Sequence, residues 1–373
     1  MKRKIVIAML SLSASVLIVP TICRPHAVGS AAEPTINKAS IRVITRRHTV
    51  YLATPNAEKD FTTWSWTPRV AFRVNGPMAG GSKLVTEFFL PGNKPWIQLD
   101  CGGGEINANQ WWQVGDPFCG DEVEDEQGKT VTGFIDFKIS LVSELQGTSK
   151  TLFTGKIDVK KFHVGGTAPE FKNNFEYYVD QDWTLPVGYV YALEPISYAT
   201  GATQYLDFSP LAVSMWFRGD PTEGTVIGYV FYNGKPIGST ENTRRGTTSR
   251  ETLSTSEDSP YKWSLVEFVF SDVEIFDRKP PGSINPDAFR LDKNPGEYEV
   301  KVLRNGKLAR VAKFTVGADG KIVDNGIGKS NNLGAPRIIL PIQILDAGDG
   351  DWNKAAWKTE AFYSNPLSGF TAP

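Results

Sequence analysis

Apolar and polar positions alternate with a period of two through most of the chain, and runs with helical spacing are scarce. Alternation places successive side chains on opposite faces of an extended backbone, so the pattern predicts half-buried β-strands. It is clearest where Tyr298, Val300 and Val302 alternate with Glu297, Glu299 and Lys301, and the run turns at Asn305-Gly306 before Phe314-Thr315-Val316. Asn-Gly suits a type I′ hairpin turn, because both residues tolerate the positive φ that matches strand twist. Asn233-Gly234 carries the same signal. One short helix is predicted, Trp352 to Tyr363, with Asp351 as its N-cap and Asn365-Pro366 as its stop.

The strand pattern repeats. Val70-Ala71-Phe72-Arg73-Val74-Asn75-Gly76, then Gly81 and an apolar run Leu84 to Leu90, returns 143 residues later as Val213 to Gly219, Gly224 and Val226 to Tyr232. The offset slips to 141 at the Lys-Pro pairs Lys94-Pro95 and Lys235-Pro236. Further on, Phe162-His163-Val164-Gly165 matches Phe314-Thr315-Val316-Gly317, and an Asp-x-Asp-Trp tetrad follows each, Asp180 to Trp183 and Asp349 to Trp352. Self-similarity over such a distance marks a duplicated unit.

Short strands rich in Val, Ile, Phe and Tyr, broken by Gly, Pro and Asn and without βα alternation, favour a sandwich over a doubly wound sheet. The expected fold is therefore all-β, two tandem Ig-like β-sandwich domains with a short C-terminal extension containing one helix. The boundaries follow the pattern: a signal peptide over 1–31, an N-terminal segment over 32–60, a first sandwich over 61–175, an aromatic connecting segment over 176–204, a second sandwich over 205–322 and the extension over 323–373. The strands entered through Asn294-Pro295-Gly296-Glu297-Tyr298 resemble the closing hairpin of bacterial Ig-like modules, a generic likeness that implies a fold type and no activity. The connecting segment holds Tyr177, Tyr178, Trp183, Tyr189 and Tyr191, where a flexible linker would be rich in Gly and Ser, so it is expected to pack against the modules.

Met1-Lys2-Arg3-Lys4, the apolar stretch Ile5 to Val19 and the small residues of Ala27 to Ala32 read as a secretory signal, and imply an exported protein of the periplasm, cell surface or extracellular space. No later segment approaches the roughly 20 apolar residues of a membrane span. The 40 basic and 41 acidic residues create no field that would attract nucleic acid. Removing the signal takes Cys23 with it and leaves Cys101 and Cys119, an even pair that an oxidising compartment would join as a disulfide.

Chemistry is thinly marked. His48, in the basic run Arg46-Arg47-His48, reads as part of a solvated face, and His163 as an ordinary strand residue. No nucleophile elbow, zinc helix or phosphate loop occurs. Asp349, Asp351, Asn353 and Glu360 fall at the first, third, fifth and twelfth positions of an EF-hand-type calcium loop, although Lys354 replaces the glycine that shapes it, and a capped helix competes with the metal reading. No other cofactor is indicated. Trp111 and Trp112 lie inside the cysteine loop among polar residues, where large rigid aromatics could stack on a sugar or anchor a protein partner; the competing reading has one of them fold back as a lid. The resulting expectation is a non-catalytic binding, adhesion or envelope protein with a protein or glycan partner. A carbohydrate-active or carbohydrate-binding protein and a structural component of envelope assembly are the alternatives.

Overall fold

Strand formation follows the alternation closely. In the computed structural model Tyr298, Val300 and Val302 are buried while their polar neighbours are not. Asn305 and Gly306 take φ values of 51° and 77°, and Asn233 and Gly234 values of 51° and 75°, the left-handed pair that a two-residue hairpin turn needs. The structure describes residues 33–373 apart from 53–60, 107–110, 121, 166, 168, 194–198, 201–202, 205–208, 220, 222–225, 242–246, 254–260, 276–286, 335–336 and 347–350. The signal segment 1–31 lies outside the described residues.

The first half runs through β1 (Thr35–Leu52), β2 (Phe61–Asn75), β3 (Met78–Leu90), β4 (Lys94–Ile106), β5 (Trp111–Cys119), β6 (Gly133–Ser143), β7 (Thr148–His163) and β8 (Phe175–Asp180). The second runs through β9 (Val187–Ala192), β10 (Ala199–Thr200), β11 (Thr203–Gln204), β12 (Pro210–Arg218), β13 (Val226–Tyr232), β14 (Lys235–Ser239), β15 (Thr247–Leu253), β16 (Trp263–Glu274), β17 (Phe289–Arg290), β18 (Gly296–Arg304), β19 (Lys307–Val316) and β20 (Ile338–Ile344). Among the described residues the helical pieces are short 3-10 turns and the single α-turns α1 (Ile327–Ser330), α2 (Ala356–Thr359) and α3 (Ala361–Ser364). The protein is all-β.

The two copies hold the same strand order. In the first half β1-β2-β5 form one sheet and β4-β3-β6-β7-β8 another; in the second, a single sheet follows the path β14-β13-β18-β19-β20-β9-β12-β16-β15, with β17 paired to β16. The series β4-β3-β6-β7-β8 and β14-β13-β18-β19-β20 correspond position by position, as do β1-β2-β5 and β9-β12-β16. Leu84 to Leu90 and Val226 to Tyr232 are thus equivalent strands, each with its hairpin partner on one side. β9 comes from the aromatic connecting segment and β20 from the C-terminal extension, so both segments add strands to the second sheet.

What differs is how the copies close. In the second half β15 covers β16 on one side, and β20 pairs with β9 on the other, Ile338 to Val190 through Pro341 to Val187. In the first half no strand covers the outer edge of β5 among the described residues. Instead Cys101 of β4 and Cys119 of β5 are paired, buried, with Cα atoms 4.9 Å apart, a spacing that a disulfide bridges. On the opposite side β8 pairs only with Asp158 to His163 of β7, and the chain's own tail takes over beyond it. Tyr363 donates its hydroxyl to the Ile41 carbonyl (2.9 Å) and Asn365 Nδ2 donates to the Thr154 carbonyl (2.9 Å), tying the tail to β1 and β7.

The extension carries short helix where the sequence placed it, over narrower bounds than Trp352 to Tyr363. Two single turns, α2 and α3, stand where one continuous helix was expected, and Asn353 Oδ1 rather than Asp351 receives the Ala355 N–H (3.1 Å). Phe362, Tyr363 and Ser364 are left-handed, with φ of 45°, 59° and 65°. Such a turn costs about 1–2 kcal/mol per non-glycine residue. It directs both rings inward, where Tyr363 meets Phe137 edge-on (5.8 Å between centroids) and Phe362 meets Trp183 (4.9 Å). Burying two large rings gains a similar amount, about 1.5–3 kcal/mol each.

Two apolar cores result. One, inside the second half, is built on Val213, Phe217, Phe268 and Val300. The other starts from Phe72, Phe88 and Phe137 and extends through Trp183, Trp216, Trp263 and the tail rings. Glu33 to Pro373 is accordingly one compact unit. Replacing both cysteines, Cys101→Ser with Cys119→Ser, should lower the unfolding free energy by about 3 kcal/mol, the chain-entropy value for a loop of this length. Urea titration under oxidising conditions measures it, and an unchanged midpoint would mean that β4 and β5 hold together without the bond.

Candidate functional site

The densest meeting of charged and aromatic groups is at the end of β8. Asp180 closes that strand, and its Oδ1 accepts the N–H of Asp182 (2.9 Å), folding the chain into a 3-10 turn over Asp182–Thr184. The other Asp180 oxygen is bonded to Lys160 Nζ. Asp158 stands directly opposite Asp180 in the β7–β8 register, an unfavourable like-charge pair. Lys160, also 3.7 Å from Asp158 Oδ2, neutralises both.

Asp182 is buried and both its oxygens are engaged. Oδ1 accepts the indole N–H of Trp263 (3.0 Å), Oδ2 accepts the backbone N–H of Asn353 (2.8 Å), and Arg218 Nε stands 3.8 Å from Oδ1. Arg218 also donates to the Asp351 carbonyl, and its guanidinium lies 5.7 Å from the ring centroids of both Tyr261 and Trp263. Tyr261 stacks on Tyr178 at 4.4 Å with an interplanar angle of 4°, and meets Phe162 at 5.3 Å. One carboxylate therefore joins the first half, the second half and the tail.

Burial, then the neighbouring Asp180 charge, raises the Asp182 carboxyl above its ordinary range, against the Asn353 N–H, Arg218 and Trp263. Asp158 is raised by burial, against Lys160, and by Asp180 and Asp182. Glu360 is raised by burial and then by Asp158. Burial alone would lower Lys160, but its hydrogen bond to Asp180 and the surrounding carboxylates outweigh this and raise it. Raised carboxyls in one place are a mark of acid–base sites. Here the Asp180 and Asp182 oxygens are spent on lysine, indole and backbone donors, which is the behaviour of a lock.

The residues singled out from the sequence are placed as follows. Trp111 and Trp112 lie on β5, opposite Asn75 and Val74 of β2. Arg218, the repeat counterpart of Asn75, is opposite Trp263, so Trp111 holds in the first copy the register position that Trp263 holds in the second. Cys101 and Cys119 are brought together. Asp349 lies outside the described residues; Asp351 is exposed, Asn353 caps the turn before α2, and Glu360 lies within electrostatic reach of Asp158 and Asp180. Among the described residues no group of three or more His, Cys, Asp or Glu is arranged to hold a metal ion.

His48 is not on a solvated face. It is buried, with Nε2 bonded to Thr67 Oγ1 (2.6 Å) and Nδ1 to Asp125, pinning the exposed acidic segment onto β1 and β2. The carboxylate–imidazole–hydroxyl order resembles a hydrolase relay, but Thr67 is fully buried and out of a substrate's reach. In the second half Tyr191 donates to Glu267 and is 2.9 Å from Ser214 Oγ, with Glu267 and Ser214 buried too. Sequence reasoning missed Asp158, Lys160 and Arg218, which carry no motif; the Asp-x-Asp-Trp tetrad was the one signal pointing to this place.

Neither the known protein-family profiles nor the curated proteins match this chain.

Two outcomes test the lock. Asp182→Ala strips the acceptor from the Trp263 indole and the Asn353 N–H and should cost about 3 kcal/mol in urea unfolding; a loss below about 1 kcal/mol, the scale of an exposed pair, would count against it. For a carboxyl whose folded-state pKa is raised, the stabilising contribution is full below the ordinary carboxylate range and fades as pH rises through the raised value. Wild type should accordingly lose stability relative to Glu360→Gln between about pH 4 and pH 7, the side of the ordinary Glu pKa on which a raised value lies. Parallel pH profiles would contradict that.

Proposed function

We propose that this is an exported, non-catalytic binding protein of the cell envelope, built on two tandem Ig-like β-sandwiches, which engages a protein or glycan partner through the first module. The observation that carries this reading is the difference between the two copies at equivalent edges: β16 is covered by β15, whereas β5, which bears Trp111 and Trp112, has no covering strand among the described residues. Uncovered strand edges are where extended partners add main-chain hydrogen bonds, and loops on a rigid scaffold are where binding differences reside. The strand order shared by the two halves supports the Ig-like reading. Export is supported by the leader-like start of the chain and by the paired cysteines. The spent oxygens of the Asp180–Asp182 group favour binding over turnover.

The candidate contact residues are Trp111 and Trp112, both on the edge strand β5. A pull-down from native envelope and a glycan array should both be run with wild type, Trp111→Ala and Trp112→Ala. Trp111→Ala is expected to lose the captured partner at least tenfold with an unchanged melting temperature, and Trp112→Ala to weaken capture as well. Equal capture by wild type and Trp111→Ala would remove this edge as the binding site.

A further inference from the structure

A crevice of about 20 Å³ lies where β1, the turn after β8, β9, β12 and the left-handed tail turn meet. Aromatic rings make up much of its wall, among them Trp183, Trp216 and Tyr363, yet Gln181, Lys38 and Thr184 also face it. Gln181 is 1% exposed, and its Oε1 has no hydrogen-bond partner within the protein. An amide oxygen desolvated without a partner costs about 1–3 kcal/mol, so a native junction would not leave one here without compensation.

Size identifies the ligand. A water molecule needs about 10–15 Å³ of such space and two to four polar partners. Small-molecule sites measure about 300–1,000 Å³, far beyond this crevice. We propose that the crevice is a binding site for one water molecule that completes the seat of the C-terminal tail. The water donates to Gln181 Oε1 and to Thr184 Oγ1, whose own proton is already given to the Gln181 carbonyl (2.8 Å), and it accepts from the Lys38 ammonium. Lys38 is suited to this: burial lowers its pKa, the sign of an ammonium short of hydration. The site is independent of the β5 edge and of any partner.

A crystal structure that resolves ordered solvent should show a peak within hydrogen-bonding distance of Gln181 Oε1 and Lys38 Nζ. Oxygen-17 relaxation dispersion in solution should count one fewer long-lived water in Gln181→Leu than in wild type, while Gln181→Glu, which keeps an acceptor, retains it. Gln181→Leu should unfold at the same or a higher urea midpoint, because it removes the orphan acceptor along with the water. A dry crevice in wild type, or a water count that Gln181→Leu leaves unchanged, overturns the proposal. Should Gln181→Leu fail to fold, the wild-type crystal and the Gln181→Glu count still decide it.

Discussion

The arrangement of this protein depends on the carboxylate of Asp182. It is out of water, where an ionised group is tolerated only with full compensation, and it receives that from three directions: an indole of the second half, a backbone amide of the tail and a guanidinium close by. In a low-dielectric setting each of these interactions is stronger than at the surface, and losing one leaves the others under-compensated. The halves and the tail are therefore coupled through one atom group. The stack of Phe162, Tyr178, Tyr261 and Trp263 beside it excludes the solvent that would otherwise screen it.

Around that lock, the two halves share one strand order and differ in their means of closure. The second copy finishes itself with strands: β15 on one edge and β20 sewn to β9 on the other. Among the described residues the first half shows neither pairing. A cysteine pair stands in for the covering strand, and the tail, arriving from the far end of the chain, supplies Phe362 and Tyr363 to the gap between β1 and β7. A strand satisfies backbone groups that a disulfide leaves open.

Much of this was legible in the residues. Alternation around Tyr298 and Val300, the Asn-Gly tips and the offset of 143 residues each report on local backbone geometry, and the structure carries strands, left-handed turns and equivalent strand positions there. Cys101 and Cys119, expected to pair, are joined. His48 was misread because a basic run normally faces water, while its partner Asp125 is 77 residues away. The short helix of the extension was legible but its extent was not: the first core takes Phe362 and Tyr363 out of helical geometry.

Period and turn chemistry are properties of neighbours along the chain, and from them the all-β class and the hairpins followed without coordinates. The junction did not. Asp158, Lys160, Asp182, Arg218, Trp263 and Asn353 come from five separated stretches, and their meaning arises from burial and from hydrogen bonds made across the fold. Charge, pKa and solvent access depend on what stands a few ångströms away in space, and spacing along the chain does not encode that.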